Sequence, residues 1–412
     1  MPASPLVSAP SCPCCVFLLG GGLFLPLNDG VGSNCGEGVK SASSADHSLS
    51  AHVIDPREAW TRISSATHGK SNASGRKILL VDTHGHPHLQ REVQYAHQAD
   101  LALGNGSVVS LTCAVTPSDW NDALEYASRS PLILPALGIH PWNLVDVMAD
   151  GIEIHDNCED INLEKCIDWD WLTDLETLLS RHPRLLVGEI GLCKKARFVR
   201  YYPKEKGGQA AALRLQRLVF TKQLELAAKY SRPVTKRERE GTLKRRRRAF
   251  PPAIAMHSFT GTAHHVNEIL AFERALLSQG EETGNSGGKR PRFTTNRQRN
   301  ECPIDHSEPL PCEDYAKAQD ILFYFGFSHS VNHLMCTSEK ARRRAAEAVR
   351  SVPSERLLVE SDVHASIDVT LGTAGAVAYA AYVRGERIED LAERSVDNGL
   401  RFLSTLGSIT SS

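Results

Sequence analysis

Two histidines that could hold a metal ion follow a short apolar stretch near residue 80. The apolar run 78–81 leads directly into Asp82, His84 and His86. In an extended strand, residues two positions apart point to the same side, so His84 and His86 can both face one ion. Neutral imidazole is the commonest side-chain metal ligand. Taken alone, the pair is equally compatible with a strand end that is rich in histidine, so it predicts a metal site only if further ligands follow other strands.

Four later apolar segments carry residues of the same kind at or near their ends. They are His140 after 132–139, Glu189 within 185–190, His257 at the end of 253–257, and Glu360 and Asp362 around the end of 357–361. A buried glutamate is rare unless it is paired or binds a metal, so Glu189 is the most informative of these residues. Each of the others could also be an ordinary strand-end histidine or a carboxylate that caps the next helix.

The elements that must position these residues are apolar runs of strand length that alternate with helical patterns. Seven strands are predicted, at 78–82, 108–114, 132–139, 185–190, 253–257, 321–327 and 357–361. Their nearly continuous apolar character is typical of parallel strands that are buried on both faces. Helical periodicity is visible at 215–226 and 388–403. The alternation favours a parallel α/β fold, either a barrel or a doubly wound sheet.

In a barrel, the carboxyl ends of all strands open on one face, and that face carries the active site. The histidines and carboxylates would then converge there and form a nitrogen and oxygen ligand set suited to Zn, Mn or Mg. Glu189 could bridge two ions. Asp362 could bind an ion and also orient or deprotonate a water molecule, as metal-assisted hydrolysis requires.

Composition places the chain among ordinary globular proteins. It has 412 residues, of which 41% are hydrophobic and 23% are charged, and its formal net charge is −1. No global charge therefore points to nucleic acid or to a membrane, and any basic surface must be local. The 11 cysteines lack the spacing of a disulfide framework, which favours reduced thiols and a cytoplasmic or nuclear location. No apolar run approaches the ~20 residues of a membrane span.

Composition also suggests how the chain is divided. Residues 1–75 are rich in Ser, Gly, Ala and Pro and are expected to be a largely disordered extension, with a short helix near Asp55–Ile63. Residues 76–406 would form the catalytic domain. Within it, 281–311 is expected to be a low-complexity surface insertion. The densely basic segment 236–248 could be a nuclear-localisation signal, a nucleic-acid patch or a solvated loop.

Five short motifs, in this order along the chain, resemble those of the TatD-related metal-dependent deoxyribonucleases, a family within the larger group of metal-dependent hydrolases. They lie at 82–86, 138–141, 188–192, 257–261 and 360–362, and the resemblance covers about residues 77–405. The variants at 86–87, 140–142 and 359–364 are similar to a fungal branch of that family. The resemblance implies a TIM-like (β/α) barrel that hydrolyses phosphodiester bonds in DNA, with exonuclease action, and that uses one or two divalent ions (Mg, Mn or Zn).

The resemblance also implies roles for individual residues. His84 and His86 would bind one ion together with Asp362, Glu189 would bridge, and His257 would serve the second ion. Asp362 and Glu189 would be the catalytic residues, with Asp362 as the orienting base. We expect His140, together with loop cations such as Lys194 or Lys195, to contact the phosphate of a DNA substrate.

One departure affects the second ion. The family places a metal-binding histidine a few residues after a Pro-Val pair in its fifth strand, but Pro233 and Val234 are followed by no histidine before His257. Either the fifth βα unit is distorted and degenerate, or coding sequence is missing from the gene model. Cys193 and Lys194 also stand where the family commonly has an acid and an aromatic residue. Two alternatives therefore stay open: a metal-dependent amide or ester hydrolase, and a non-catalytic barrel that binds a protein partner.

Overall fold

The computed structural model describes residues 16–19, 55–66, 70–71, 77–90, 107–149, 163–230, 251–278 and 321–406. The basic segment 236–248, the insertion 281–311 and most of the predicted N-terminal extension lie outside these residues, as does the Pro233-Val234 pair. Among the described helices, none combines the length and the apolarity needed to cross a membrane.

The strands are numbered in chain order: β1 (Val16–Leu19), β2 (Lys70–Ser71), β3 (Lys77–Ile78), β4 (Leu80–Asp82), β5 (Val108–Cys113), β6 (Ile133–Leu137), β7 (Leu186–Val187), β8 (Gly191–Leu192), β9 (Ile254–His257), β10 (Phe323–Ser328) and β11 (Leu357–Glu360). The α-helices are α1 (Pro56–Ser65), α2 (Trp120–Ser128), α3 (Asp170–Arg181), α4 (Arg197–Arg200), α5 (Gly208–Lys229), α6 (Ala263–Ser278), α7 (Glu339–Ser351), α8 (Val369–Arg384) and α9 (Ile388–Leu403). Every predicted strand is present, although several are shorter than predicted.

The strands form a TIM-like barrel with helices on its outside. Strands β4, β5, β6 and β7 pair in parallel in that order, and β9, β10 and β11 form a second parallel group. Backbone hydrogen bonds join the two groups, because Thr83 N donates to Val359 O at 3.2 Å and Asp362 N donates to His84 O at 3.0 Å. The seam between β11 and β4 therefore brings the first histidine pair beside Asp362.

The barrel is distorted at the position of the fifth strand, as predicted. Strand β1, which was not predicted, lies between β8 and β9 and runs antiparallel to both. Its backbone register places Val16 opposite Leu192 and Phe17 opposite His257. The amino end of β1 is therefore at the same end of the barrel as His257.

The helices explain why the chain closes into this shape. The expected helix near Asp55–Ile63 is α1, which begins with Asp55 accepting a hydrogen bond from Arg57 N at 2.7 Å and with proline as its first residue. It packs on α8, and Arg62 pairs with Glu389 of α9 at 2.9 Å. Helix α8 is buried along nearly its whole length and is rich in alanine, so it can lie close to the strands as well as to its neighbouring helices.

A buried ion pair fixes the opposite end of the barrel. Arg356 binds Glu273 of α6 in a bidentate manner, with N–O distances of 2.8 and 2.7 Å. The same carboxylate accepts hydrogen bonds from the backbone N–H groups of Leu322 and Phe323, just before and at the start of β10. Helix α6 is thereby fastened to β10 and β11 at a distance from the strand ends that carry the histidines.

Candidate metal centre

All six residues predicted for the site lie together at the carboxyl ends of the strands. His84 and His86 follow β4, His140 follows β6, Glu189 lies between β7 and β8, His257 ends β9, and Asp362 follows β11. His84, His86, Glu189 and His257 are between 0% and 5% exposed. The fold thus assembles residues that are up to 278 positions apart (His84 and Asp362) into one buried cluster.

Glu189 lies at the centre of the cluster, with each of its carboxylate oxygens facing two imidazoles. Its Oε2 lies 3.5 Å from His84 Nε2 and 3.3 Å from His86 Nε2. Its Oε1 lies 3.5 Å from His140 Nε2 and 3.6 Å from His257 Nε2. A carboxylate in this position can bind one ion through each oxygen, which is the geometry of a bridging ligand.

Asp362 closes the cluster on the side of the first histidine pair. Its Oδ1 lies 4.0 Å from His84 Nε2 and 3.9 Å from His86 Nε2, and those two nitrogens are 3.1 Å apart. Asp362 has a φ of 52° and Ser258 has a φ of 37°. Left-handed backbone is unfavourable for residues with a side chain and is concentrated at functional sites.

Glu360, the other acid at the end of β11, contacts His257 on the side of the ring that faces away from Glu189. His257 Nδ1 donates to Glu360 Oε1 at 2.8 Å, and Ser258 Oγ lies 2.8 Å from the same oxygen. Glycine is required at position 326 of the neighbouring strand, because a Cβ there would lie 2.2 Å from Glu360 Oε2. Such carboxylate–histidine pairs fix the ring orientation of metal-binding histidines.

Asp82 plays a similar supporting role beside β4. Its carboxylate accepts hydrogen bonds from Ser361 N at 2.8 Å and from Ser361 Oγ at 2.7 Å. Burial raises the pKa of Asp82 to about 7 although these hydrogen bonds oppose the shift. Asp82 therefore ties β4 to the segment that carries Asp362.

Burial sets the protonation states of the histidines. It lowers the pKa of His84 and of His86 well below the usual value, and it lowers the pKa of His140 to about 4. Burial also lowers the pKa of His257, but the negative charges of Glu360, Asp362 and Glu189 outweigh it and raise that pKa to about 9. Three of the four imidazoles are thus neutral at pH 7, the form that binds a metal.

The surroundings of His86 show that the residues fit a divalent cation. His86 Nδ1 donates to the carbonyl oxygen of Cys113 at 2.6 Å, so the Nε2 of the neutral ring carries a lone pair that faces Glu189 Oε2. Two acceptors that face each other at 3.3 Å repel, and a cation between them reverses this.

The potential ligand atoms form two overlapping groups. One group is His84, His86 and Glu189, the other is His84, His257 and Asp362, and the atoms within each group lie within 4.8 Å of one another. Nitrogen and carboxylate oxygen donors of this kind suit Zn, Mn or Mg. On the Oε1 side of Glu189, His140 lies beside His257, although the sequence has no histidine between Val234 and His257.

Sequence reasoning did not identify the residues that support the ligands. It did not give Asp82 and Glu360 this role, and it did not anticipate the buried His88 next to the site, whose Nδ1 lies 2.7 Å from Thr112 Oγ1 and whose Nε2 lies 3.4 Å from Asp119 Oδ2. The third histidine of the 84–88 segment is the one signal that pointed to it, because it continues the alternation of His84 and His86. Its position in a turn of 3₁₀-helix, rather than in the strand, could not be anticipated.

A barrel with a histidine and carboxylate cluster at its strand ends defines a metal-dependent hydrolase. The family model described as TatD related DNase matches residues 81–279, which include four of the five motifs. The resemblance to the TatD-related family that the motifs predicted is therefore confirmed over these residues.

Individual relatives were found in fungi and bacteria. The Cut9-interacting protein scn1 of Schizosaccharomyces pombe is 22% identical over 353 residues, which cover 70% of this chain and 88% of that protein. Among solved structures, the TatD homologue YJJV of Escherichia coli aligns with a TM-score of 0.44 and 16% identity over 78% of this chain and 97% of its own. An uncharacterised amidohydrolase of Saccharomyces cerevisiae aligns with a TM-score of 0.46 and 14% identity over 78% and 99%.

Proposed function

We propose that this protein hydrolyses phosphodiester bonds in DNA, as an exonuclease, at the cluster around Glu189. The observation that carries the proposal is the position of the Glu189 carboxylate, which faces His84 and His86 with one oxygen and His140 and His257 with the other. A site that can bind two cations on one carboxylate suits a phosphodiester displacement, because the cations can stabilise the negative charge on both the attacking and the leaving oxygen. The family match of residues 81–279 supports the same chemistry.

In this proposal His84, His86 and Asp362 would hold one ion, Glu189 would bridge, and His257 would hold the second. His140, on the same side of Glu189 as His257, contacts the phosphate of the substrate. A bound divalent ion would polarise the phosphate and lower the pKa of a water molecule.

Asp362 acts as the orienting base because its two oxygens have different surroundings. Oδ2 lies 3.1 Å from Ser258 Oγ, whereas Oδ1 faces the histidine pair. Asp362 therefore lies where it can orient and deprotonate a water molecule beside the histidine pair. Glu360 keeps Nε2 of His257 directed at Glu189.

The experiment is a nuclease assay on single- and double-stranded DNA with Mn or Mg, comparing the wild type with Asp362→Asn. General-base catalysis typically contributes about 10²- to 10⁴-fold, and we expect a loss of that order. Glu347→Gln, which changes an exposed acid on α7, is the matched control. Activity retained in the double variant His84→Ala/Asp362→Ala would exclude this site.

A second candidate is a protein-binding role without catalysis. It is favoured by the name of the S. pombe relative, a Cut9-interacting protein, and by the missing fifth-strand histidine. Metal analysis of the purified protein separates the two: about two ions per chain support the hydrolase, and none under saturating Mn or Zn supports the binding role.

We also propose a cytoplasmic or nuclear location for this activity. Among the cysteines that the structure describes, Cys113 and Cys166 are buried free thiols, as is usual in reducing compartments.

A further inference from the structure

The segment 193–206, between β8 and α5, is unusually basic for a chain with a net charge of −1. It contains one acid, Glu205, and six basic residues: Lys194, Lys195, Arg197, Arg200, Lys204 and Lys206. It begins four positions after Glu189, so it leaves the barrel directly beside the candidate metal centre. The first residues of this basic segment therefore lie beside the candidate metal centre.

The other described loops at this end of the barrel have no permanent positive charge. They comprise residues 83–90, 114–119, 138–148, 258–262, 329–338 and 361–368, and none of these residues is Lys or Arg. Several of them expose apolar side chains instead, among them Val145 at 60%, Leu334 at 64% and Ile367 at 54%. Within the described part of the chain, the mouth of the barrel is thus basic on one side only.

Packing holds the basic segment against the site. Cys193 N donates to Gln216 Oε1 at 3.0 Å, and Trp142 Nε1, two residues after His140, lies 3.3 Å from Cys193 Sγ. Cys193, Ala196 and Val199 are buried in a small apolar cluster. The residues between them, Lys194, Lys195, Arg197 and Arg200, are exposed. The inward residues anchor the segment, so the charged side chains are presented to solvent from a fixed backbone.

An exposed aromatic ring lies at the end of this row of charges. Tyr201 is 70% exposed, and the Arg200 guanidinium lies 5.8 Å from the centroid of its ring. A cationic groove with aromatic side chains is the usual means of binding single-stranded nucleic acid, because phosphates meet the charges and bases stack on the rings.

We propose that residues 193–206 are the binding platform for single-stranded nucleic acid, and that they direct its end to the Glu189 cluster. Phosphates lie along the exposed basic side chains, and an unpaired base stacks on Tyr201. A duplex presents no free base face to this ring except at its end, so single strands and frayed ends are the preferred ligands. The inference rests on the proposed function and adds to it the surface that selects the substrate.

The test is fluorescence anisotropy with a labelled single-stranded 12-nucleotide DNA in EDTA, so that binding is measured without hydrolysis. For the full-length variant Arg200→Ala/Tyr201→Ala we expect the affinity to be at least about tenfold lower than that of the wild type, because one stacked base is lost. The slope of log affinity against log salt should become shallower by about 0.7, the contribution of one single-strand phosphate contact. Tyr201→Phe keeps the ring and should restore the affinity relative to Tyr201→Ala.

The control is Arg343→Ala/Arg344→Ala, which removes two exposed charges from α7 on the outside of the barrel and should leave the affinity unchanged. Equal affinity of Arg200→Ala/Tyr201→Ala and the wild type would overturn the platform, even if the wild type cleaves DNA. Weaker binding by that variant supports the platform, even if a parallel assay with Mn detects no hydrolysis by the wild type. In that case the platform stands and the proposed function fails. A wild type that binds no oligonucleotide overturns the platform.

Discussion

His257 donates a hydrogen bond from Nδ1 to Glu360 at 2.8 Å, and its other ring nitrogen lies 3.6 Å from Glu189. The ring is therefore held between two carboxylates that come from different strands. Because Nδ1 donates to Glu360, Nε2 is the atom that can bind a metal once it has lost its proton. Glu360 thus determines which nitrogen of His257 faces the site and in which direction it points.

Replacing Glu360 with Gln should weaken metal binding while the fold is kept. Glutamine has nearly the same shape, but it lacks the charge that favours the Nδ1–H form of His257. Loss of such a supporting partner typically lowers metal affinity by about 10- to 100-fold. Isothermal titration of the metal-free protein with Mn measures the effect, and Glu347→Gln on the exposed face of α7 is the control. An unchanged Mn affinity would show that Glu360 does not orient His257.

Gly326→Ala should also disturb Glu360, in this case through a clash with the neighbouring strand β10. A Cβ at this position would lie 2.2 Å from Glu360 Oε2, so the glutamate side chain or strand β10 must move. Overpacking of this kind typically costs about 1–3 kcal/mol. We expect a lower midpoint of thermal unfolding together with weaker Mn binding. Gly385→Ala is the comparison variant: a Cβ there meets no atom within 4 Å, but the left-handed backbone is strained, so only stability and not Mn affinity should fall.

Acid should destabilise the metal-free protein through its buried histidines. Burial, together with the charge of His333, lowers the pKa of His329 to about 4, whereas an unfolded histidine titrates near 6.5. Between these two values the unfolded state binds a proton that the folded state does not, so stability is lost as the pH falls from about 6.5 to about 4.

The variant His329→Gln isolates this contribution, because every other titrating group is common to both proteins. Urea midpoints at pH 7 and pH 4.5 should differ less in His329→Gln than in the wild type. His182→Gln, which removes an exposed imidazole, is the matched control. An equal loss of stability in the wild type and in His329→Gln would contradict the prediction.

Local patterns in the sequence are sufficient to predict most of the strands of the barrel. Parallel strands buried on both faces need continuous apolar runs, and this requirement revealed all seven predicted strands. The site followed from the rule that ligands lie at strand carboxyl ends, which brought Glu189 and Asp362 together despite the 172 residues that separate them.

The position of a residue at a strand end could not show that the neighbouring acids Glu360 and Asp362 have different functions. Glu360 and Asp362 are two positions apart, so an ideal strand would point both at the site. The left-handed backbone at Asp362, with a φ of 52°, breaks that alternation, and Glu360 lies behind His257 instead of beside Asp362. Gly326 was the corresponding signal in the sequence, but its meaning depends on a contact between two strands.

Strand β1 is the element that sequence patterns could least predict, and its removal gives the last prediction. Val16–Leu19 lies in a Ser-, Gly- and Pro-rich region, and its partners Leu192 and His257 are more than 170 residues away. Pairing over such a separation leaves no periodic signal in the sequence. The pairing is also antiparallel, whereas the fifth strand of a (β/α) barrel is parallel to its neighbours.

Deletion of residues 1–19 should destabilise the barrel, since it leaves the facing edges of β8 and β9 without a partner. At about 1 kcal/mol for each backbone hydrogen bond, we expect a loss of a few kcal/mol, measured by urea unfolding. Deletion of residues 1–15 removes almost as much chain but keeps β1, so it should unfold at the same midpoint as the full-length protein. If both truncations unfold at the wild-type midpoint, β1 does not close the barrel.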